Sequence, residues 1–494
     1  MNRSNHDPSD RSKPVGADFL HLDPAHAPPG HTTDWLTDRL RTAITHGDLP
    51  RGSRLPPTRT LATDLGVSRG VVTEAYRRLA EDGHVRGHGR AGTIVMATMT
   101  PPPARTHPHT RPDPSPLFSP HPRPDVFDRL RQARARIDLS PGVPDLAAFP
   151  RAAWLRAERA VLTDTSASAL GYGDPRGTPQ LRTALTHWLA RTRGIRTRPE
   201  DVLIVSGTAQ ALGLIGAALR HQHIDTVAVE DPGSLGVRHH LDHAGLRTPP
   251  VPVDEDGVSV DALRATGAEA VLATPAHQFP TGVVLGGRRR RDLIRWAMEG
   301  GLVIEDDYDA EHRYDRHPVP ALASVAPDRV CYAGSVSKLL APALRLGWIV
   351  APPRWRPALV EAKRFNDLGS ATLPQLVLAH LMASGDLERH LRTLRGRHRR
   401  RRDTMIDALR THLPGARVHG AAAGLHLTVT LEAPVTDTDL AAAALERGVK
   451  AHPLTWHRQR PGPPGLVLGY AGRTDTDIRE GVAVVGALLD QHTR

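Results

Sequence analysis

A lysine placed just after a buried strand must be paired, snorkelled or covalently used, because an ammonium is costly among apolar groups. Lys338 holds that position, closing Gly334-Ser335-Val336-Ser337-Lys338 directly behind the apolar run 329–333. Ser335, Ser337 and, seven residues on, Arg345 supply donors for a phosphate. Such a set suits a Schiff base between lysine and a phosphorylated aldehyde; read alone, SxSK is explained more simply by a surface lysine. A second group is Glu305-Asp306-Asp307-Tyr308. In an extended segment Asp306 and Tyr308 face the same side. A carboxylate there keeps a pyridine nitrogen protonated, and a hydroxyl donates to a phenolate oxygen. By itself, EDDYD also suits a metal-binding acidic cluster or a capping turn. The third group is Val202–Val205 followed by Ser206-Gly207-Thr208-Ala209 and an apolar helical run. A strand, glycine turn and helix present free N–H groups to an anion, so Ser206, Gly207, Thr208 and Ala209 are phosphate candidates. GxGxxG is absent, which disfavours a dinucleotide.

Those groups need a frame. Short apolar runs at 202–205, 226–230, 270–273, 302–306, 329–333 and 346–350 alternate with helical patterns. That alternation predicts an α/β domain with a large, mostly parallel sheet over residues 137–494. Upstream, residues 100–124 hold ten prolines in 25 positions, a composition that favours extended chain and marks 97–136 as a linker. Residues 34–96 carry dense helical periodicity, and 1–33 are polar and expected to be disordered.

At 494 residues the chain is long enough for several domains, and its single cysteine, Cys331, excludes a disulfide framework or multi-cysteine metal site. The opening residues lack an apolar leader run. One uncharged stretch, 202–219, reads better as strand, turn and buried helix than as a membrane span. A cytoplasmic protein is expected. The net charge is +11, and residues 1–136 hold 20 basic against 14 acidic side chains, a bias that suits a polyanionic partner or a solvated surface. Only four lysines accompany 60 arginines, so a lysine in a special context is informative.

Within 34–96, Trp35, Leu36, Leu40, Ala43 and Ile44 give a first helix its apolar face. A second helix runs from about Thr58 to Leu65 and stops at Gly66. Ser68 caps a third, whose core face is Val72, Ala75, Tyr76 and Leu79 and whose other side offers Arg69, Thr73, Arg77 and Arg78. The tail HVRGHGRAGTIV reads as a β-hairpin wing. A helical bundle with a basic face accounts for helix–Gly–helix alone. The run GDLPRGSRLPPTRTLATDLGVSRGVVTEAYRRLAEDGHVRGHGRAGTIV resembles the winged helix-turn-helix of GntR-superfamily regulators. That resemblance implies DNA contacts by Arg59, Ser68 and Arg69; Thr73 faces the same way, and wing residues Arg86 and Arg90 suit phosphate contacts.

The three chemical groups, with Tyr172-Gly173-Asp174-Pro175-Arg176-Gly177 and Ala276-His277-Gln278-Phe279-Pro280-Thr281-Gly282, resemble fold-type I aminotransferases, with a large sheet domain and a smaller α+β subdomain. Head, linker and body together resemble the MocR-type regulators. The resemblance implies pyridoxal 5′-phosphate as an internal aldimine on Lys338, Asp306 on its ring nitrogen and Tyr308 on its phenolate oxygen. It further implies phosphate contacts from Gly207, Thr208, Ser335, Ser337 and Arg345, a homodimer, and Tyr172 reaching the neighbouring subunit's phosphate.

Three departures bear on catalysis. Phe279 stands where many aminotransferases have an asparagine, Ser234 where relatives carry a stacking aromatic, and Val467 where many have the arginine that clamps a substrate carboxylate. Arg238 is a candidate to compensate. The run 397–402 is read as the solvated face of a helix. His239, His240 and His243 lack convergent partners, and no metal is expected. The expectation is a regulator that binds double-stranded operator DNA at the nucleoid and senses an amine, an amino acid or pyridoxal phosphate, without steady turnover and without a membrane. The alternative is an active aminotransferase carrying a DNA-binding appendage.

Overall fold

The computed structural model describes residues 22–87, 92–96, 116–314 and 319–493. The chain divides into two compact units, 1–114 and 115–494.

In the first unit, helices α1 (Thr32–His46), α2 (Thr58–Asp64) and α3 (Arg69–Glu81) precede strands β1 (Val85–Gly87) and β2 (Thr93–Val95). Glycine ends α1 in a left-handed residue, Gly47, which leaves its last carbonyls reachable. Ser68 caps α3, its Oγ accepting from the Val71 amide at 3.4 Å. Leu36, Leu40, Ile44, Val72, Ala75 and Leu79 are buried together, as the periodicity predicts. The wing is an antiparallel pair with Val85 opposite Val95. Arg90 lies outside the described residues, as does most of the 1–33 tail.

The second unit begins with α4 (Val126–Gln132) and β3 (Ile137–Asp138), then α5 (Arg151–Asp164) and α6 (Pro179–Arg193). There follow β4 (Val202–Val205), α7 (Thr208–His221), β5 (Val227–Asp231), α8 (Leu235–His243), β6 (Pro250–Asp254), β7 (Gly257–Val258), α9 (Val260–Ala265), β8 (Ala270–Ala273), α10 (Gly287–Met298), β9 (Leu302–Asp307), β10 (Val330–Ser335) and β11 (Gly347–Val350). The chain ends through α11 (Arg356–Asp367), α12 (Thr372–Ala383), the long α13 (Asp386–His412), β12 (Arg417–His419), β13 (His426–Thr430), α14 (Asp437–Glu446), β14 (Val449–Lys450), β15 (His452–Pro453), β16 (Gly465–Gly469) and α15 (Asp475–Thr493).

Eight strands form one sheet in the order β4-β11-β10-β9-β8-β5-β6-β7. All six expected strands are in it. Neighbours from β10 through β6 are parallel, whereas β11 runs antiparallel to both β10 and β4. The reason is the short connection 336–346: a parallel return needs a crossover helix, which this segment lacks. Buried side chains fill both faces of the sheet, Trp188, Ile204 and Trp348 on one and Val205, Ile304 and Ile349 on the other. A smaller four-stranded sheet, β12-β13-β16-β15, packs with α13, α14 and α15 around a third core.

Residues 116–136, read from sequence with the linker, have a different role. Phe118, Val126 and Leu130 are buried in that third core, and Phe118 stacks on Trp456 at 5.4 Å. The proline count hid them, because burial of three spaced apolar side chains depends on the surface they meet. Among the described residues no helix is long and apolar enough to cross a membrane.

Candidate functional site

Ligands of open α/β sheets bind beyond the carboxyl ends of the strands. Here β4, β5, β8, β9 and β10 end at Val205, Asp231, Ala273, Asp307 and Ser335, and a cavity of about 520 Å³ opens there. Lys338, Asp306, Tyr308 and Thr208 all line it.

Strand alternation sorts the EDDYD segment. Glu305 and Asp307 point away from the cavity. Glu305 accepts from the Leu322 and Ala323 amides at 2.9 and 3.0 Å. Asp307 takes the Arg193 guanidinium at 2.5 Å and the Tyr332 hydroxyl at 2.7 Å. Asp306 and Tyr308 face the cavity, so the acidic run is divided rather than pooled. Asp306 is 7% exposed, and its Oδ1 has no hydrogen-bond partner among the described residues. Burial, reinforced by Asp307 and Asp309, pushes its carboxyl up to about 7, with Lys338 pulling the other way. An orphaned buried carboxylate oxygen facing a cavity is incomplete by itself and suits a protonated ring nitrogen.

Tyr308 Oη lies 3.0 Å from His277 Nδ1, which lies 2.9 Å from Asp309 Oδ2. With Nδ1–H donating to the carboxylate, that nitrogen cannot accept from Tyr308. The tyrosine proton is left for Asp309, which also neighbours the phenol, or for an acceptor in the cavity. Burial raises the phenol well above its ordinary value, so it remains a donor.

Lys338 Nζ donates to the Gly142 carbonyl at 2.5 Å, and burial lowers its affinity for a proton. Gly142 has φ +79°, and a Cβ there would sit 3.1 Å from Nζ. Only glycine gives this backbone both its conformation and the room.

Of the phosphate candidates, Thr208 is on the cavity lining. Gly207 (φ +86°) leads into α7, and a Cβ on it would meet the Arg345 guanidinium at 3.4 Å. Arg345 is exposed and has no ion-pair partner among the described residues. Ser335 Oγ accepts from the Ser337 amide at 3.4 Å. Ala209 follows in the first turn of α7. The Ser206 amide is already taken by Gln210 Oε1 at 2.8 Å. Gln210 is held by Lys363 at 2.8 Å, and the fully buried Lys363 also reaches Asp367 and Ser370. Tyr172 is 97% exposed and lies along a groove with Leu368 and Gly369, not in this chain's cavity.

The departures are also placed. Phe279 lines the cavity. Ser234 Oγ accepts from the Val237 amide at 3.3 Å, capping α8. Val467 is fully buried in β16, and Arg238 donates to the Trp456 carbonyl at 2.7 Å, so neither side chain lines the cavity. The 397–402 run is more than a solvated face: Arg397 and Arg401 clasp Asp145 at 3.1 and 2.9 Å, Arg402 donates to the Ala421 carbonyl at 2.8 Å, and His398 is fully buried.

In the head, Arg59, Arg69, Thr73 and Arg86 are exposed. Arg69 donates to Thr58 Oγ1 at 3.4 Å. Arg77 and Arg78, offered by the same periodicity, are tied to Glu74, Glu81 and Asp34, which cancels much of their charge toward a polyanion.

A winged helix-turn-helix unit joined to a doubly layered α/β unit, with a lysine, carboxylate and phenol around one cavity, defines a DNA-binding protein with a pyridoxal-phosphate-type body. Comparison with known proteins gives the family. Residues 135–485 match "Aminotransferase class I and II" and residues 32–95 match "Bacterial regulatory proteins, gntR family". The chain is 33% identical to the probable rhizopine catabolism regulatory protein MocR of Rhizobium meliloti, covering 90% of this chain and 91% of that one. It is 31% identical to the HTH-type pyridoxine biosynthesis transcriptional regulator PdxR of Corynebacterium glutamicum, covering 92% and 95%. The kynurenine aminotransferase of Pyrococcus horikoshii superposes with TM-score 0.68 at 27% identity, over 75% of this chain and 94% of that one.

This chain belongs to the MocR-type regulators of the GntR superfamily. It is a pyridoxal-phosphate-dependent, DNA-binding transcriptional regulator.

Residues that sequence reasoning passed over include Gly142, the His277–Asp309 pair and the Arg193–Asp307–Tyr332 cluster. Glycine 142 sits in a Ser-Pro-Gly turn, which was a legible signal. The other two join positions far apart in sequence and left none.

Proposed function

We propose that this regulator acts as a homodimer on double-stranded operator DNA, and that its body senses a small amine, an amino acid or pyridoxal phosphate itself. The carrying observation is the Lys338 cavity, which has lysine, carboxylate and phenol on its lining and further room beside them. Asp306 holds the ring nitrogen, Tyr308 donates to the phenolate oxygen, and Lys338 is the attachment point. Gly207, Thr208, Ala209, Ser335, Ser337 and Arg345 surround the phosphate; Ser206 positions the turn through Gln210 rather than donating its amide. When bound, the cofactor supplies a carbonyl carbon open to primary amines and a ring that withdraws electrons. Opposite a ring N–H⁺, Asp306 is stabilised as the carboxylate. Burial keeps the Tyr308 proton in place and favours the Lys338 free amine, whose lone pair is the nucleophile.

Phe279, Ser234 and the buried Val467 support sensing over turnover, because the arginine on the cavity lining, Arg131, is exposed and paired with Asp128 rather than held as a buried clamp for an α-carboxylate. Exposed Tyr172 and Leu368 share one groove, apolar surface that a second copy would cover. In the head, Arg59, Ser68, Arg69 and Thr73 face the operator, and Arg86 with Arg90 supplies wing contacts. Phe127 and Leu130 of α4 line the cavity, so a ligand that shifts them moves part of the 97–136 segment itself. Such a protein acts in the cytoplasm, at the nucleoid.

The purified protein is expected to absorb in the visible, and Lys338→Ala to lose that band. A band persisting in the variant would place attachment on Lys13, Lys363 or Lys450 and overturn the assignment.

A further inference from the structure

Past Tyr308 the cavity changes character. Its wall there is Phe127, Phe279, His426, His452 and His457. The Phe279 ring lies 5.0 Å from both His426 and His457, and Phe127 stacks 5.6 Å from His452. Burial holds all three imidazoles neutral: His426 is pushed down to about 3, His452 to about 4 and His457 well below its ordinary value. His452 Nδ1 and His457 Nε2 have no hydrogen-bond partner among the described residues.

The cations around this wall are already matched. Lys450 Nζ is 3.6 Å from Asp138 Oδ2, and Asp138 also accepts from the Ser140 amide at 2.9 Å. Arg131, largely exposed, pairs with Asp128. Glu230 accepts from the Thr274 hydroxyl at 2.6 Å, the Thr274 amide at 3.1 Å and Gln278 at 3.2 Å. A carboxylate entering here meets no unpaired cation among the described residues, and it meets buried Glu230, which has neutral donors but no ion-pair partner there. The entering carboxylate would be desolvated without a partner. Ring faces, ring edges and imidazole nitrogens remain, which is the surface an arene prefers.

We propose that this chamber selects a primary amine with an aromatic, carboxylate-free tail, an arylalkylamine, its nitrogen toward Lys338 and its ring between Phe127 and Phe279. The proposal deepens the sensing function above and rests on the cofactor reading made there.

The test is a titration of the full-length, pyridoxal-phosphate-loaded protein with 2-phenylethylamine and with L-phenylalanine, which differ only in the carboxylate. Calorimetry and the visible spectrum are read together. Phenylethylamine is expected to bind about tenfold or more tightly than phenylalanine. Phe127→Ala, a change on a half-buried helix position, is expected to weaken phenylethylamine about fivefold or more, with retained cofactor absorbance as the folding control. Equal or tighter binding of phenylalanine overturns the proposal, and so does a Phe127→Ala chain that binds phenylethylamine unchanged. Binding of neither amine by a protein with an intact visible band overturns it while leaving the cofactor reading in place. A protein that takes up no cofactor refutes the underlying reading and the proposal with it.

Discussion

Arg193→Met is the most discriminating single change outside the cavity. Arg193 is 1% exposed, and its Nε meets Asp307 Oδ2 at 2.5 Å, with the side chain of Asp307 2% exposed. The variant keeps most of the aliphatic stem, so packing loss is small. What it leaves is a buried Asp307 carboxylate with one remaining side-chain donor, the Tyr332 hydroxyl at 2.7 Å. The cheapest relief is protonation. An ordinary aspartyl group ionises near pH ~3.9, about three units below neutrality, and each unit is worth about 1.4 kcal/mol, so the penalty at pH 7 is about 4 kcal/mol. That agrees with the roughly 3–5 kcal/mol found when one partner of a buried pair is removed. The pH dependence gives the sign. A carboxyl that is protonated in the folded variant and ionised when unfolded loses stability as pH rises, so the deficit should shrink to about 1.5 kcal/mol at pH 5. Because Asp307 lies between Asp306 and Tyr308, cofactor affinity should fall as well. The assay is urea unfolding followed by tryptophan fluorescence, to which the buried Trp188–Trp348 pair contributes, at pH 5 and 7. Arg193→Met with Asp307→Asn should recover most of the loss. A deficit below about 1 kcal/mol at pH 7, or one independent of pH, would refute the buried-pair argument.

Other outcomes follow from the same geometry. In cofactor-free protein the Asp306 carboxyl is raised to about 7, so its contribution to stability is present below about pH 4 and lost as pH rises through 7. Asp306→Asn should therefore stabilise the cofactor-free chain at pH 8 by up to about 4 kcal/mol while abolishing tight cofactor retention; a variant less stable than the parent at pH 8 refutes this. Gly142→Ala puts a methyl 3.1 Å from Lys338 Nζ at φ +79°, a conformation that costs a non-glycine residue roughly 1–2 kcal/mol. Equilibrium dialysis should show weaker pyridoxal phosphate uptake, and unchanged uptake would remove Gly142 from the site. Arg69→Ala should cost the operator about 1–3 kcal/mol and relax specificity. Arg86→Ala should weaken all sequences alike and reduce the salt slope by about 1. Gel shifts across a salt series separate the two, and identical behaviour of both variants would contradict the division of roles.

What could be read directly from the chain was local. The α3 face of Val72, Ala75, Tyr76 and Leu79, the turn after Val205 and the shared side of Asp306 and Tyr308 each follow from a backbone period or a glycine within a few residues. The strand runs predicted the large sheet for the same reason, and the motif order was enough to connect head and body with a family. Direction, partnership and charge state came only with the tertiary structure. The antiparallel course of β11 depends on how residues 336–346 return. The role of residues 116–136 depends on the surface that receives Phe118, Val126 and Leu130. Gly142 meets Lys338 across 196 residues, and Arg193 meets Asp307 across 114. The arginines at 397–402, alike in sequence, are separated by helix phase into clasps on Asp145 and solvent-facing groups. Periodicity reports which face a side chain occupies, whereas a hydrogen bond or a neutralised charge depends on what the fold brings against that face.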